Sequence, residues 1–289
     1  MKKLVIIGGG FAGAKISKKL EDYFDVSLID EKDYFEFTPG ILRSIIHPDH
    51  LKKIQINHKD YLKKSRFILG KVLRLTDDMV FTDNKKEIEY DYLAICSGSR
   101  YESPIKDRNA IIGLRGKNLK KYNYKLSKSR NILIVGGGLV GVELAGEILG
   151  KYDNKNITII HSKERIIQRN SIQSVSYTER FLKRNNVAVI LNETAVKNKN
   201  SIITTNKNNH FNYDIAFFCT GIKPNSDFVG RNKLDSNCFI KVDKFLRMKG
   251  RNNIFVCGDV ASINEEKTAQ AAEKHSNIVI NNLIATEKR

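Results

Sequence analysis

Tryptophan is absent from this 289-residue chain, and only four prolines and four cysteines occur in it. The cysteines stand at positions 96, 219, 238 and 257, with no Cys-x-x-Cys. That spacing supports neither a disulfide scaffold nor a metal site, and no metal ligand set is expected. Cys96, Cys219 and Cys257 end the apolar runs LAIC, AFFC and FVC, which reads as buried, inert thiols on core strands and places the chain in the cytoplasm. No apolar run approaches the ~18–20 residues of a spanning helix, which argues against an integral membrane protein. The opening MKKLVIIGGGFAG is broken by glycines and reads as a strand rather than a signal peptide. Acidic residues are also few, 32 against 50 Lys+Arg, for a formal charge of +18. A nucleic-acid module would interleave its cations with aromatics. Here they are spread along the chain, and no nucleic-acid partner is expected.

What is present is enough for about two domains. The 41% hydrophobic fraction rises to about 48% once the 19 glycines are added, as in soluble globular chains. An internal echo shows how the length is divided. Residues 4–20, LVIIGGGFAGAKISKKL, match residues 132–148, ILIVGGGLVGVELAGEI. Each is an apolar run, then Gly-x-Gly-x-x-Gly, then helix-like spacing. YDYLAICSGS at 90–99 likewise matches YDIAFFCTGI at 213–222, at nearly the same offset. Two similar nucleotide-binding units are therefore expected, not a short solenoid repeat. The stretch 115–130, RGKNLKKYNYKLSKSR, is basic and free of acids, with Leu119, Tyr122 and Leu126 at the spacing of a short surface helix. IFVCGDVA reads as a late strand and turn, and KTAQAAEKHSNIVINNLIA as a terminal helix with Ala271, Ile278 and Leu283 among its apolar positions. The late strand must join one of the two sheets, so one unit is discontinuous and the other is inserted into it.

The glycines at Gly8, Gly10 and Gly13, and at Gly136, Gly138 and Gly141, each have a separate task. The first permits the turn, the second lets backbone approach a pyrophosphate, and the third lets helix pack on strand. The helix N-terminus then offers unpaired N–H groups to the phosphates. Asp30 ends the run DVSLID, 22 residues past Gly8, where a carboxylate accepts hydrogen bonds from ribose hydroxyls. In the second copy His161 stands in that place, followed by Ser162, Lys163 and Arg165. Without a carboxylate to repel it, a 2′-phosphate is tolerated there, which points to NADPH or to use of both nicotinamides.

These motifs, together with CSGS at 96–99, CTGIKPN at 219–225 and CGDVA at 257–261, resemble the flavoprotein reductases with two dinucleotide-binding domains, over nearly the whole chain. FEFTPG at 35–40 and the segment from Gly258 onward are most similar to type II NADH dehydrogenases and the apoptosis-inducing-factor-like quinone reductases, including the ferroptosis-suppressor type. The resemblance implies an α/β fold of two Rossmann-like, three-layer domains. The NAD(P) domain, 104–228, is inserted in a discontinuous FAD domain, 1–103 and 229–289. It implies FAD as cofactor and NADH or NADPH as substrate. Gly8, Gly10, Phe11, Ala12, Gly13, Asp30, Ser97, Gly98, Gly258 and Asp259 then belong to the FAD site. Pro39, Thr268 and Ala269 lie where the isoalloxazine ring passes. Gly136, Gly138, Gly141, His161, Lys163 and Gly221 belong to the nicotinamide dinucleotide. Glu143 resembles a glutamate directed to where nicotinamide meets flavin, with an ion pair as its structural alternative, and Lys267 resembles a lysine near the flavin.

Departures from the family pattern narrow the activity. No cysteine lies near the first helix or the FTPG segment, so a thiol relay lacks its parts. Only ATEKR follows NNLI, where type II dehydrogenases continue into a membrane-docking region and disulfide reductases into a dimerisation domain. Both are expected to be missing. The expected activity is hydride transfer from NAD(P)H to flavin N5, then electron transfer to a quinone-type acceptor. The alternatives are a reductase for a soluble carrier of the ferredoxin or rubredoxin type, and a flavin-binding sensor without turnover. The basic stretch 115–130 is expected either to touch an anionic membrane surface on its inner face or to steer an acidic redox protein.

Overall fold

A computed structural model describes the chain except residues 103, 107–111 and 288–289. Two parallel sheets dominate it. The first joins β1 (Lys3–Ile7), β2 (Asp25–Asp30), β3 (Arg66–Leu69), β4 (Tyr92–Ile95) and a late strand, β9 (Ile254–Val256), in the order β9-β4-β1-β2-β3. The second contains β5 (Asn131–Val135), β6 (Asn156–Ile160), β7 (Ala188–Ile190) and β8 (Ile215–Phe218), in the order β7-β6-β5-β8. The late strand thus completes the first sheet by pairing with β4, with the whole second sheet lying between them in the sequence.

Central parallel strands are covered on both faces, so they read as continuous apolar runs. In β1, Leu4 and Ile6 point to one side and Val5 and Ile7 to the other, all of them buried. Leu4 and Ile6 pack under helices α1 (Phe11–Leu20) and α6 (Ala269–Glu287), through Ile16, Leu20, Val279 and Leu283. Val5 and Ile7 meet Val72, Val80 and Ile88 of a three-stranded antiparallel sheet, Val72–Leu75, Met79–Thr82 and Glu87–Glu89. The three layers are therefore helix, parallel sheet and antiparallel sheet. The second unit repeats them. Ile132 and Ile134 of β5 lie with Leu144 and Ile148 of α4 (Leu139–Leu149). On the other side, Leu133 and Val135 lie with Ile203 of the antiparallel sheet Ala195–Lys199, Ile202–Thr205 and His210–Asn212.

The basic stretch falls on the expected helix, which begins earlier, as α3 (Ile112–Lys128), and Arg115, Leu119 and Leu126 on it are fully buried. They lie against a core that includes Ile41, Leu42, Ile45 and Ile46, from helix α2 (Ile41–Ile46). Only the outer face, with Lys117, Lys120, Lys121, Lys125 and Lys128, meets solvent. In α6, Ile278 is 41% exposed, while the buried stripe runs Ala272, His275, Ser276, Val279, Ile280 and Leu283. His275 and Ser276 interrupt the apolar pattern of that stripe.

A buried ion pair joins α3 to the short strand Tyr34–Glu36. Arg115 of α3 donates from Nε to Glu36 Oε2 at 3.1 Å and from Nη2 to Oε1 at 3.3 Å. Its other N–H groups reach the Pro104 and Ile105 carbonyls, and Gln55 Nε2 donates to the same Glu36 carboxylate at 2.8 Å. The two side chains are 0% and 2% exposed. Removing one partner of such a pair strands a buried charge at a cost of about 3–5 kcal/mol. Arg115→Met is therefore expected to lower the urea midpoint strongly, and Arg115→Met combined with Glu36→Met to recover part of that loss. A single variant as stable as the parent would show the pair to be dispensable.

Candidate functional site

The two glycine turns are built alike. Ile7 is in register with Ile29 and Val135 with Ile160, and the next residues make matching bonds. Gly8 N–H donates to the Ile29 carbonyl at 2.8 Å, and Gly136 N–H to the Ile160 carbonyl at 2.7 Å. Both glycines have positive φ, +96° and +116°, a region that side chains disfavour. A Cβ on Gly8 would lie 2.4 Å from the Cys96 carbonyl oxygen, and one on Gly136 2.1 Å from that of Cys219. The CSGS and CTGI segments are thus pressed onto the two turns. Gly13 and Gly141 close the other side, where a Cβ would stand 1.8 and 2.0 Å from the Gly8 and Gly136 carbonyl oxygens.

Gly10 and Gly138 are different. Each stands at the N-cap of its helix, and a Cβ there would meet nothing within 4 Å. The open space lies at a helix N-terminus with unpaired N–H groups, a shape that suits a pyrophosphate. Around the first such space the motifs converge. A Cβ at Gly258 would lie 3.6 Å from Ala272 and 3.9 Å from Ala12, so the starts of α1 and α6 meet there. The Phe11 ring lies 5.2 Å from that of Phe35 and 5.5 Å from that of Phe37. This ties α1 to the segment that enters the Thr38–Gly40 turn with Pro39. Thr268 caps α6, its hydroxyl accepting the Ala271 N–H at 3.1 Å. Ser97 exchanges two hydrogen bonds with Asn225, and Asn225 N–H donates to the Gly98 carbonyl, locking the CSGS turn to the segment after Gly221.

Asp30 lies beneath Gly9. Its Oδ2 accepts the Gly9 N–H, and Oδ1 accepts the Lys32 N–H at 2.9 Å. Burial raises its pKa, but His58 and Lys32 outweigh that and hold the carboxyl below its ordinary value. Asp259 accepts from the Ser99 hydroxyl at 2.6 Å and from Lys106 Nζ at 3.1 Å. Glu143 faces a cavity of about 530 Å³ that Arg43, His47 and Glu147 also line. Partial desolvation and the Glu147 carboxylate raise its pKa. Glu147 itself pairs with Arg43 at 3.1 Å, across from α4 to α2. Lys267 is held by the Ala261 and Ile263 carbonyls at 2.8 and 3.0 Å, and burial lowers its pKa. Among the described residues no ion pair joins it to Glu143. His161 sits against Gly137, and Lys163 is exposed.

Several participants escaped the sequence motifs. His58 is fully buried, bonded through Nδ1 to the Tyr61 hydroxyl at 2.6 Å, with Nε2 3.6 Å from Asp30 Oδ2. His275 accepts the Gly258 N–H on Nδ1 at 3.2 Å and pairs through Nε2 with Glu265 at 2.8 Å. Lys106 holds Ser99 and Asp259 together. The thiols of Cys96 and Cys257 meet at 3.4 Å across the ends of β4 and β9. Both are buried, and the contact with Cys257 together with burial pushes the Cys96 thiol far up, which makes it a poor nucleophile.

The comparisons with known proteins agree with this geometry. The family model described as pyridine nucleotide-disulphide oxidoreductase matches residues 2–276. The apoptosis-inducing factor homolog A of Dictyostelium discoideum is 32% identical over 307 residues, which cover 96% of this chain and 75% of that protein. The ferroptosis suppressor protein 1 of Taeniopygia guttata is 31% identical over 300 residues, covering 98% and 80%. Two solved structures share the fold. The sulfide:quinone oxidoreductase of Aquifex aeolicus has a TM-score of 0.82 at 19% identity, covering 100% of this chain and 77% of that one. A ferredoxin reductase of Rhodopseudomonas palustris also scores 0.82, at 15% identity, covering 98% and 76%.

The turn geometry separates two alanine variants. Gly13→Ala forces a methyl into the Gly8 carbonyl and is expected to destabilise the fold by several kcal/mol, about the range of an overpacked core. Gly10→Ala is expected to unfold at the parental urea concentration yet retain much less bound flavin, because its methyl fills the cradle. Parental flavin content in Gly10→Ala would remove the cradle from the cofactor site.

Proposed function

The chain belongs to the pyridine nucleotide-disulphide oxidoreductase family, and from that membership we propose that it is an FAD enzyme that oxidises NADH or NADPH and passes the electrons to a quinone-type acceptor. The observation that carries the proposal is the duplicated cradle. Two strand-to-helix turns of the same build each leave open space beside the middle glycine, at Gly10 and at Gly138. One fits a resident dinucleotide and the other a dinucleotide substrate. We assign the first, with residues 1–103 and 229–289, to FAD, and the second, with residues 104–228, to the nicotinamide.

Bound at the first cradle, FAD supplies acceptance of a hydride from a nicotinamide and onward delivery of electrons. The chain supplies the rest. Backbone at Gly10 and the start of α1 receive the pyrophosphate, and Asp30 accepts from the adenosine ribose. Asp259, oriented by Ser99 and Lys106, would face the ribityl or phosphate portion, its carboxylate accepting from a ribityl hydroxyl. The N-terminus of α6 directs its positive end toward negative charge at the ring. Glu143, with its raised pKa, orients the nicotinamide or holds a proton for the acceptor. Lys267 supports the turn after Gly258 through the Ala261 and Ile263 carbonyls.

The acceptor is assigned by likeness. The relatives are apoptosis-inducing-factor and ferroptosis-suppressor proteins, and one structure with the same fold is a sulfide:quinone oxidoreductase. A second reading rests on a different observation. The outer face of α3 exposes Lys117, Lys120, Lys121, Lys125 and Lys128 with no acid between them, a surface suited to an acidic carrier protein, and a ferredoxin reductase shares the fold. The same face suits an anionic membrane surface. No helix among the described residues is long and apolar enough to cross a membrane.

Anaerobic mixing of the flavin-loaded protein with NADH or NADPH tests the core of the proposal. The flavin absorbance is expected to bleach within seconds to minutes. A flavin that stays oxidised with both donors would leave a binding protein without turnover. After bleaching, reoxidation by a short-chain quinone is expected to outpace reoxidation by ferredoxin. In Glu143→Gln, a proton-transfer role predicts quinone reoxidation slowed by about 100-fold at neutral pH. Unchanged reduction and reoxidation rates would dismiss that role.

A further inference from the structure

The late strand of the first sheet hands over to a turn at Cys257. The Cys257 N–H still donates to the Ile95 carbonyl at 3.0 Å, in line with the pairing of β9 on β4. The next N–H, that of Gly258, has left the ladder. Here the chain passes through a φ of +75°, and a single turn, Gly258–Val260, closes with the Ala261 N–H donating to the Gly258 carbonyl. The stranded Gly258 N–H is taken by a side chain from another element. It donates to Nδ1 of His275, on α6, at 3.2 Å. The turn that carries Asp259 is thus fixed at two points, by Ser99 and Lys106 at the carboxylate and by His275 at the backbone.

His275 accepts there in only one state. Its side chain is 8% exposed, and Nε2 lies 2.8 Å from Glu265 Oε1. A carboxylate only accepts, so the ring proton sits on Nε2 and leaves the Nδ1 lone pair to Gly258. A protonated imidazole carries a hydrogen on both nitrogens. Its Nδ1–H would oppose the Gly258 N–H, donor against donor, and leave a buried group unpaired. Four influences act on that second proton. Burial disfavours the charged ring most, Glu265 favours it, Lys267 disfavours it and Asp259 favours it. The balance holds the ring's pKa below the ordinary histidine value, on the side of the neutral form.

We infer that His275, its tautomer set by Glu265, is a positioning residue for the flavin site, holding the Gly258–Asp259 turn in shape only while uncharged, so that FAD binding is linked to loss of its proton. The inference rests on the assignment of the first cradle to FAD. His275 acts through the backbone that presents Asp259, and through the seat of Gly258 between Ala12 and Ala272. Below the pH at which the ring gains a proton in the flavin-free protein, FAD has to expel that proton to bind, and affinity declines. Above that pH, affinity is level. Glu265 has two opposed effects. Its hydrogen bond selects the tautomer that serves Gly258, while its charge invites the second proton. A neutral amide in its place keeps the bond and withdraws the charge.

The FAD affinity of the full chain, read from flavin fluorescence between about pH 5 and 8, tests this without any redox step. In the parent, affinity is expected to fall toward acid by up to about tenfold per pH unit, the limit for one linked proton. In Glu265→Gln the fall is expected to begin at lower pH, so that this variant keeps FAD in acid that strips the parent. In His275→Asn an amide oxygen stands in for Nδ1 without titrating, and affinity is expected to be level across the range. A fall that persists in His275→Asn traces the proton to another group, such as His58 beside Asp30, and overturns the inference. Level affinity in the parent, or earlier loss of FAD in Glu265→Gln, overturns it too. Where His275→Asn does not fold, the parent and Glu265→Gln decide, with the protons released on FAD binding counted by calorimetry in buffers of different ionisation enthalpy. Absence of FAD binding by the parent at every pH overturns the assignment of the first cradle itself.

Discussion

The carbonyl oxygen of Gly8 occupies the place where a side chain on residue 13 would begin. No other residue type leaves room for it, and so the first helix can approach the first strand only along this one line. The same contact recurs between Gly136 and Gly141. Much of the molecule follows from it. The helix start is aimed at the strand ends, the CSGS and CTGI segments are drawn over the turns, and the next parallel strand ends beside the same opening. A nucleotide site at the carboxyl ends of the strands is the natural result.

Polar groups inside the protein are arranged to serve that opening. Three glycine N–H groups that border it, at Gly9, Gly137 and Gly258, are taken up by Asp30, His161 and His275. Each bond satisfies a backbone donor that would otherwise be stranded at the strand end. Each also fixes the orientation of the side chain it engages. The Arg115–Glu36 pair does comparable work at larger scale. It ties α3 to the short strand Tyr34–Glu36, so the two cannot part without uncovering two charges.

Much of this was legible in the sequence because it is written in local patterns. The Gly-x-Gly-x-x-Gly runs, the apolar strands before them and the acid at Asp30 all fall within about two dozen residues of one another. They identified the turns, the duplicated unit and the late strand. What escaped notice was made by distance. His58 reaches Asp30 from a different segment, Lys106 reaches Asp259 across 153 residues, and Cys96 meets Cys257 across 161. No spacing rule connects such residues. The burial of Arg115 was equally hidden, since arginine is seldom buried unpaired and its partner lies 79 residues away.

The late arrival of β9 has a consequence for synthesis. Chains emerge from the ribosome amino end first and fold by units as these become complete. The sheet of β5 to β8 is complete once residue 218 has emerged. The sheet begun by β1 waits for Ile254–Val256, and its helical cover waits for α6. The inserted middle can therefore mature while the first unit is still lacking an edge and a layer. During that interval Leu93 and Ile95 of β4 lack the neighbour strand they pair beside in the finished molecule. A ribosome that stalled late would release a chain with its middle folded and its first sheet exposed along β4, the kind of unpaired edge that invites aggregation.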